Sequence, residues 1–148
     1  MTKHEYACKI CEVIKQKSTC TRSQVGALLV NSDYEIISTG YNGAPKGMAN
    51  CSEKGHLMRK GHCVRTVHAE INAIAQCAKA GKSCNASTMY VTYVPCEGCA
   101  KLMIQSGIYK VYAQQIRYLE GYELLKEAGI AVFDWEQNIF NIKAIKRT

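Results

Sequence analysis

In the second half of the chain, strand-like and helix-like segments alternate with glycine stops between them, and this alternation constrains the fold more than any other feature. Met89 to Tyr93 reads as a strand, Cys96 to Ser106 as a helix ended by Gly107, and Val111 to Gln114 as a strand. Glu120 to Ala128 reads as a helix ended by Gly129, and Ala131 to Trp135 as the last strand. Strand–helix–strand succession implies right-handed crossovers onto a largely parallel sheet. Upstream, Thr66 to Ala80 reads as a helix stopped by Gly81. His4 to Lys17 sets Ala7, Ile10, Cys11 and Ile14 at helical spacing, and Val25–Val30 and Ile36–Thr39 flank Asn31-Ser32-Asp33-Tyr34 as a hairpin. The expectation is an α/β fold, a mixed five-stranded sheet with helices on both faces. With 148 residues and 47% apolar content, one domain over residues 1–148 has enough core to bury. The tail from Gln137 carries no assignment.

No apolar run approaches the roughly 20 residues that cross a bilayer, and Met1-Thr2-Lys3-His4-Glu5 is charged where a signal peptide is apolar. A cytoplasmic protein without a membrane partner is expected. The formal charge of +7 suits an anionic ligand. Nine cysteines in such a chain point to metal ligation plus some buried thiols, and not to a disulfide framework.

The chemistry concentrates in two segments, His68-Ala69-Glu70 and Pro95-Cys96-Glu97-Gly98-Cys99, each at a predicted helix start. A Cys-x-x-Cys pair there puts two sulfurs on one side of the turn, where the helix dipole favours thiolate. One imidazole completes three protein ligands and leaves the fourth tetrahedral position open, as in catalytic rather than structural zinc sites. Two thiolates cancel the metal charge, so a nearby base is useful. Glu70 is that base: it can take a proton from the attacking water, pass it to a ring nitrogen and later protonate departing ammonia. Taken singly, His68 is an ordinary helix-start histidine, Glu70 a first-turn carboxylate, and Cys96/Cys99 a redox pair or half of a structural site. Together and in this order they match the signature of zinc nucleobase deaminases.

The segment from Gly40 to Thr66 has few large apolar residues and reads as a long loop, which needs a metal or a function to keep it ordered. It holds Cys51, His56, His62 and Cys63, with Cys20 upstream. Cys20, Cys51, His56 and Cys63 are the favoured ligands of a second, closed zinc site, with His62 as the substitute, against the reading as buried thiols and surface imidazoles. Cys8 and Cys11 fall inside the first helix and read as packing residues, as do Cys77 and Cys84.

From about Cys20 to Val132 the chain resembles the deoxycytidylate (dCMP) deaminase family of the cytidine deaminase-like fold, including its late-competence and phage members. The resemblance rests on Gly40-Tyr41-Asn42-Gly43, on Cys63 through Ile74 around His68-Ala69-Glu70, and on Met89-Tyr90-Val91-Thr92 leading into Pro95 through Lys101. It implies a three-layer α/β/α fold that deaminates dCMP to dUMP and ammonia, feeding dTMP synthesis, with catalytic zinc on His68, Cys96 and Cys99 and Glu70 as proton shuttle. It further implies nucleotide contacts at Asn42 and Ala69 and a second zinc on the Cys20, Cys51, His56 and Cys63 region. The family is typically hexameric, activated by dCTP, with Mg2+ accompanying it, and inhibited by dTTP, through a region that includes Gly43 and Lys46. Cytoplasm, or host cytoplasm for a phage protein, is the implied location. Asn42 is equally a turn asparagine beside Gly43, and Arg22 either pairs with a 5′-phosphate or is a surface arginine. Many members have tyrosine before the arginine of Ile116-Arg117-Tyr118, where this chain has Ile116, and the Gln76 and Lys79 positions vary.

Two other readings compete. A deaminase of the same fold acting on free nucleosides, guanine or tRNA adenosine would want an extended basic surface in the tRNA case, to which Lys143, Lys146 and Arg147 would contribute; no arginine-rich stripe accompanies the motifs. A non-catalytic zinc scaffold binding nucleotide or DNA would have no need of Glu70. Nucleic acid is therefore not the expected partner.

Overall fold

The computed structural model describes residues 1–144. Five strands form one sheet: β1 (Gly26–Val30), β2 (Ile36–Tyr41), β5 (Thr88–Tyr93), β6 (Lys110–Gln115) and β7 (Ala131–Asp134), in spatial order β2-β1-β5-β6-β7. β1 runs antiparallel to both β2 and β5, whereas β5, β6 and β7 are mutually parallel, so the sheet is mixed. Helices α4 (Glu97–Gln105) and α5 (Leu119–Glu127) make the two crossovers. Both pack with α3 (Ala69–Ala80) on the same sheet face, against Ala27, Leu29, Met89, Val91, Val111, Ala113 and Val132. Successive right-handed crossovers that step in one direction across a sheet leave their helices on one face. α1 (Lys3–Lys15) covers the other face through Ala7 and Cys11, against Leu28, Val30 and Tyr90. β1 is buried at every residue because it is central and covered twice, which is why it reads as an unbroken apolar run.

Two expectations shift. The third helix starts at Ala69, not near Thr66, because Val67 is held extended in a two-way backbone bridge with Gly43. That shift puts His68 at the N-cap. The 40–66 segment is also less bare than expected: β2 runs on to Tyr41, Cys51–Lys54 forms a short helix, α2, and Met58–Arg59 (β3) pairs with His62–Cys63 (β4) as a hairpin. Its turn, Lys60-Gly61, has positive φ at both residues, matching the twist of a tight hairpin. At the α2 start, the Glu53 carboxylate accepts from the Asn50 N–H at 3.2 Å. Ile142–Ala144 closes the described chain as a 3-10 turn; Lys146 and Arg147 lie outside the described residues. No described helix is long and apolar enough to cross a membrane.

Candidate active site

The site forms where two helices begin. His68 is the N-cap of α3 and Cys96 the N-cap of α4, with Cys99 in the first turn of α4. His68 Nδ1 lies 3.5 Å from Cys96 Sγ and 3.3 Å from Cys99 Sγ, and the donor atoms all fall within 4.8 Å of one another. Zn–S bonds of about 2.3 Å and Zn–N bonds of about 2.0 Å at tetrahedral angles give S···N edges of roughly 3.5 Å, so these donors fit zinc. The Cys96 thiol is held down to about 3 by the Cys99 S–H and by His68, while Cys99 is driven up because it shares its proton with Cys96. Glu70 is only 5% exposed, and burial pushes its carboxyl up, against the pull of nearby His68. A carboxyl raised toward neutrality is suited to receiving and returning a proton.

Cys20, Cys51, His56 and Cys63 also come together, their donor atoms again within 4.8 Å. Cys20 Sγ is 3.7 Å from His56 Nδ1, and the Cys51 and Cys63 sulfurs are 3.7 Å apart, close to the roughly 3.8 Å edge of a tetrahedral zinc–thiolate site. Against the cost of burial, the backbone N–H groups of Arg65 and Leu57 and the Cys51 thiol bring Cys63 down to about 6, while burial raises its partner Cys51 to about 11. His62 is not in the group; it is exposed and faces the catalytic cleft. The remaining Cys-x-x-Cys pair behaves as packing. Cys11 is fully buried with its S–H on the Gly26 carbonyl, and burial pushes the Cys8 thiol up to about 12.

Both clusters border one cleft of about 480 Å³ at the C-terminal ends of parallel β5 and β6, the place where open α/β sheets hold ligands. His68, Ala69, Glu70 and Cys96 line it, together with Cys20, Arg22, Asn42 and Cys63. The Asn42 side chain is largely committed to the chain: its oxygen accepts from the Val25 N–H at 2.8 Å and its amide donates to the Ser23 carbonyl at 2.5 Å. One amide hydrogen remains for a ligand. Exposed Arg22 reaches the Gly61 carbonyl at 3.5 Å. Gly43 and Lys46 lie elsewhere, on a second cleft of about 640 Å³ between β2 and α3 that also includes Gln76, Lys79 and Lys82.

Sequence reasoning noted the Ile116-Arg117-Tyr118 segment but gave Arg117 no role. It projects after β6, donates to Ser23 Oγ at 3.0 Å and lies 4.0 Å from the centre of the Tyr93 ring. Its position just past a parallel strand was the available signal. Ile116 packs against the core, and it is Tyr118 that lines the cleft.

Known proteins place this geometry. Residues 1–115 match the family described as the cytidine and deoxycytidylate deaminase zinc-binding region. ComE operon protein 2 of Bacillus subtilis is 44% identical over 118 residues, covering 78% of this chain and 62% of that protein. Deoxycytidylate deaminase of Enterobacteria phage T4 is 35% identical, covering 85% of this chain and 86% of its own. The crystal structure of dCMP deaminase from the cyanophage S-TIM5 in complex with dCMP and dUMP superposes with a TM-score of 0.78 at 32% identity, over 88% of this chain and 94% of that one. With its His-x-Glu and Pro-Cys-x-x-Cys segments folded into one Cys/His cluster beside a buried carboxylate, the chain belongs to the zinc-binding cytidine and deoxycytidylate deaminase family.

Proposed function

We propose that this cleft converts dCMP and water into dUMP and ammonia. The observation that carries the reading is Glu70, buried with its pKa raised beside a three-donor cluster inside a nucleotide-sized cleft. Zinc held by His68, Cys96 and Cys99 supplies Lewis-acid activation of water when bound. Glu70 takes the proton that water gives up, delivers it to pyrimidine N3 as C4 is attacked, and moves a proton to the amino group as it leaves as ammonia. The backbone N–H of Ala69, in the first turn of α3 where helix N–H groups lack intrahelical partners, orients the pyrimidine. Asn42 holds the Ser23–Val25 wall and offers its remaining N–H to the sugar. Arg22 and Arg117 face the 5′-phosphate. The test is ammonia release from dCMP by zinc-loaded protein beside Glu70→Gln, with cytidine and dCTP as competing substrates. Turnover of dCMP that vanishes in the variant is expected; turnover of cytidine alone would overturn the substrate assignment.

The second cluster would hold a structural zinc through Cys20, Cys51, His56 and Cys63, supported by a donor set that leaves no open position. The cleft between β2 and α3, with three lysines and Gly43 on its rim, suits a nucleoside triphosphate. It is the place for activation by dCTP with Mg2+ and inhibition by dTTP, in a hexameric cytoplasmic enzyme.

A further inference from the structure

Two glycines stand where the framework meets the ligand-bearing segments, and neither has the positive φ that would call for glycine on conformational grounds. Gly40 is inside β2 and Gly121 inside α5, positions where glycine costs about 0.5–1 kcal/mol relative to alanine. Space explains them. A Cβ at residue 40 would sit 2.2 Å from the Ala69 carbonyl oxygen and 2.6 Å from the Ala73 nitrogen, and one at residue 121 would sit 1.7 Å from the Pro95 carbonyl oxygen. These are backbone atoms, which cannot swing aside as the end of a side chain can.

The contacted residues are informative. Ala69 lies between His68 and Glu70, and Pro95 immediately precedes Cys96. We infer that Gly40 and Gly121 are positioning residues for the catalytic metal: β2 seats directly on the His68–Glu70 backbone and α5 on the Pro95–Cys96 backbone, one glycine per half of the site. This inference rests on the catalytic-zinc reading. The β2 seat is registered by two further bonds, Ser38 Oγ to the Ala73 carbonyl at 2.8 Å and Asn72 Nδ2 to the Tyr41 carbonyl at 2.8 Å. At the ligands themselves the halves meet through the 3.3 and 3.5 Å contacts between His68 and the two sulfurs. A shift of either seat by one methyl group therefore changes the ligand triangle itself. Gly26 provides the comparison: its Cβ would lie 2.6 Å from the Cys11 carbonyl oxygen, an equally close approach, but against α1, which carries none of the three ligands.

The experiment substitutes cobalt(II) for zinc in the full chain and compares Gly40→Ala, Gly121→Ala and Gly26→Ala with the parent. The readouts are the cobalt absorption bands, metal affinity by chelator competition, and melting temperature. Gly40→Ala and Gly121→Ala are expected to displace the bands and weaken the catalytic metal roughly 10- to 100-fold, the range for groups that orient ligands. Gly26→Ala is expected to lower the melting temperature and leave the bands in place. Parent-like bands and affinity in both site variants would overturn the inference. So would failure of both to fold while Gly26→Ala folds, because the contacts would then hold the fold and not the ligands. A parent protein that binds no cobalt at His68, Cys96 and Cys99 would instead remove the metal reading.

Discussion

The catalytic cluster takes its three donors from the starts of two helices that pack on the main core, whereas the second cluster takes three of its four from a segment of short elements with largely exposed side chains and the fourth, Cys20, from the loop before β1. In the first, Ala69, Ala73, Ala100 and Met103 are fully buried behind the ligands, so the backbone is in place before any metal arrives. Such a site can leave a coordination position open for chemistry. In the second, Cys51 is the one buried residue between Cys51 and Cys63. With the proposed second zinc bound, a segment so short of apolar contacts would draw its order from closing the ligand sphere. A preformed core lets a metal be reactive; a missing core makes it a staple.

The largest effect should come from Cys99→Ser. Turnover should disappear with one equivalent of zinc while the far-ultraviolet circular dichroism stays that of the parent; a collapse of secondary structure would show that this metal, too, is a staple. Glu70→Gln comes next, with kcat lowered about 10²- to 10⁴-fold and zinc content by elemental analysis unchanged, which separates proton transfer from metal retention. Cys51→Ser should act on order: one zinc lost, a lower melting temperature, and new protease cleavage between residues 50 and 66. Its KM for dCMP should rise roughly tenfold, because Arg22 leans on Gly61 of the hairpin and a charge-assisted contact is worth about 1.5 kcal/mol. An unchanged protease pattern would break the contrast between the clusters. The smallest effect sharpens it: His56→Ala should lose the second zinc, whereas His62→Ala should keep both metals and alter stability by no more than about 0.5 kcal/mol.

Much of this was readable along the chain. The strand–helix alternation gave the parallel β5-β6-β7 half, and glycine stops marked the ends of α3, α4 and α5. Gly81, for instance, caps α3 in the left-handed conformation. The catalytic donors were readable because each motif is short and sits at a local helix start. The four donors of the second cluster were readable as a set because cysteines are few in irregular segments without a role. The α3 start was misjudged by three residues, since the Val67–Gly43 bridge that delays it is long-range. Arg117 was given no role because its partners, Ser23 and Tyr93, come from distant parts of the chain.

The sequence by itself determined the element types, the catalytic motif and the membership of a deaminase family, because these depend on local spacing and residue chemistry. Only the tertiary structure decided that His56 and not His62 joins the second cluster, that one cleft borders both clusters, and that Asn42 is largely committed to holding the cleft wall. It also decided that Gly40 and Gly121 are closed to any side chain. Those properties are distances between residues far apart in sequence, and no local pattern encodes how closely two backbones approach when the core packs.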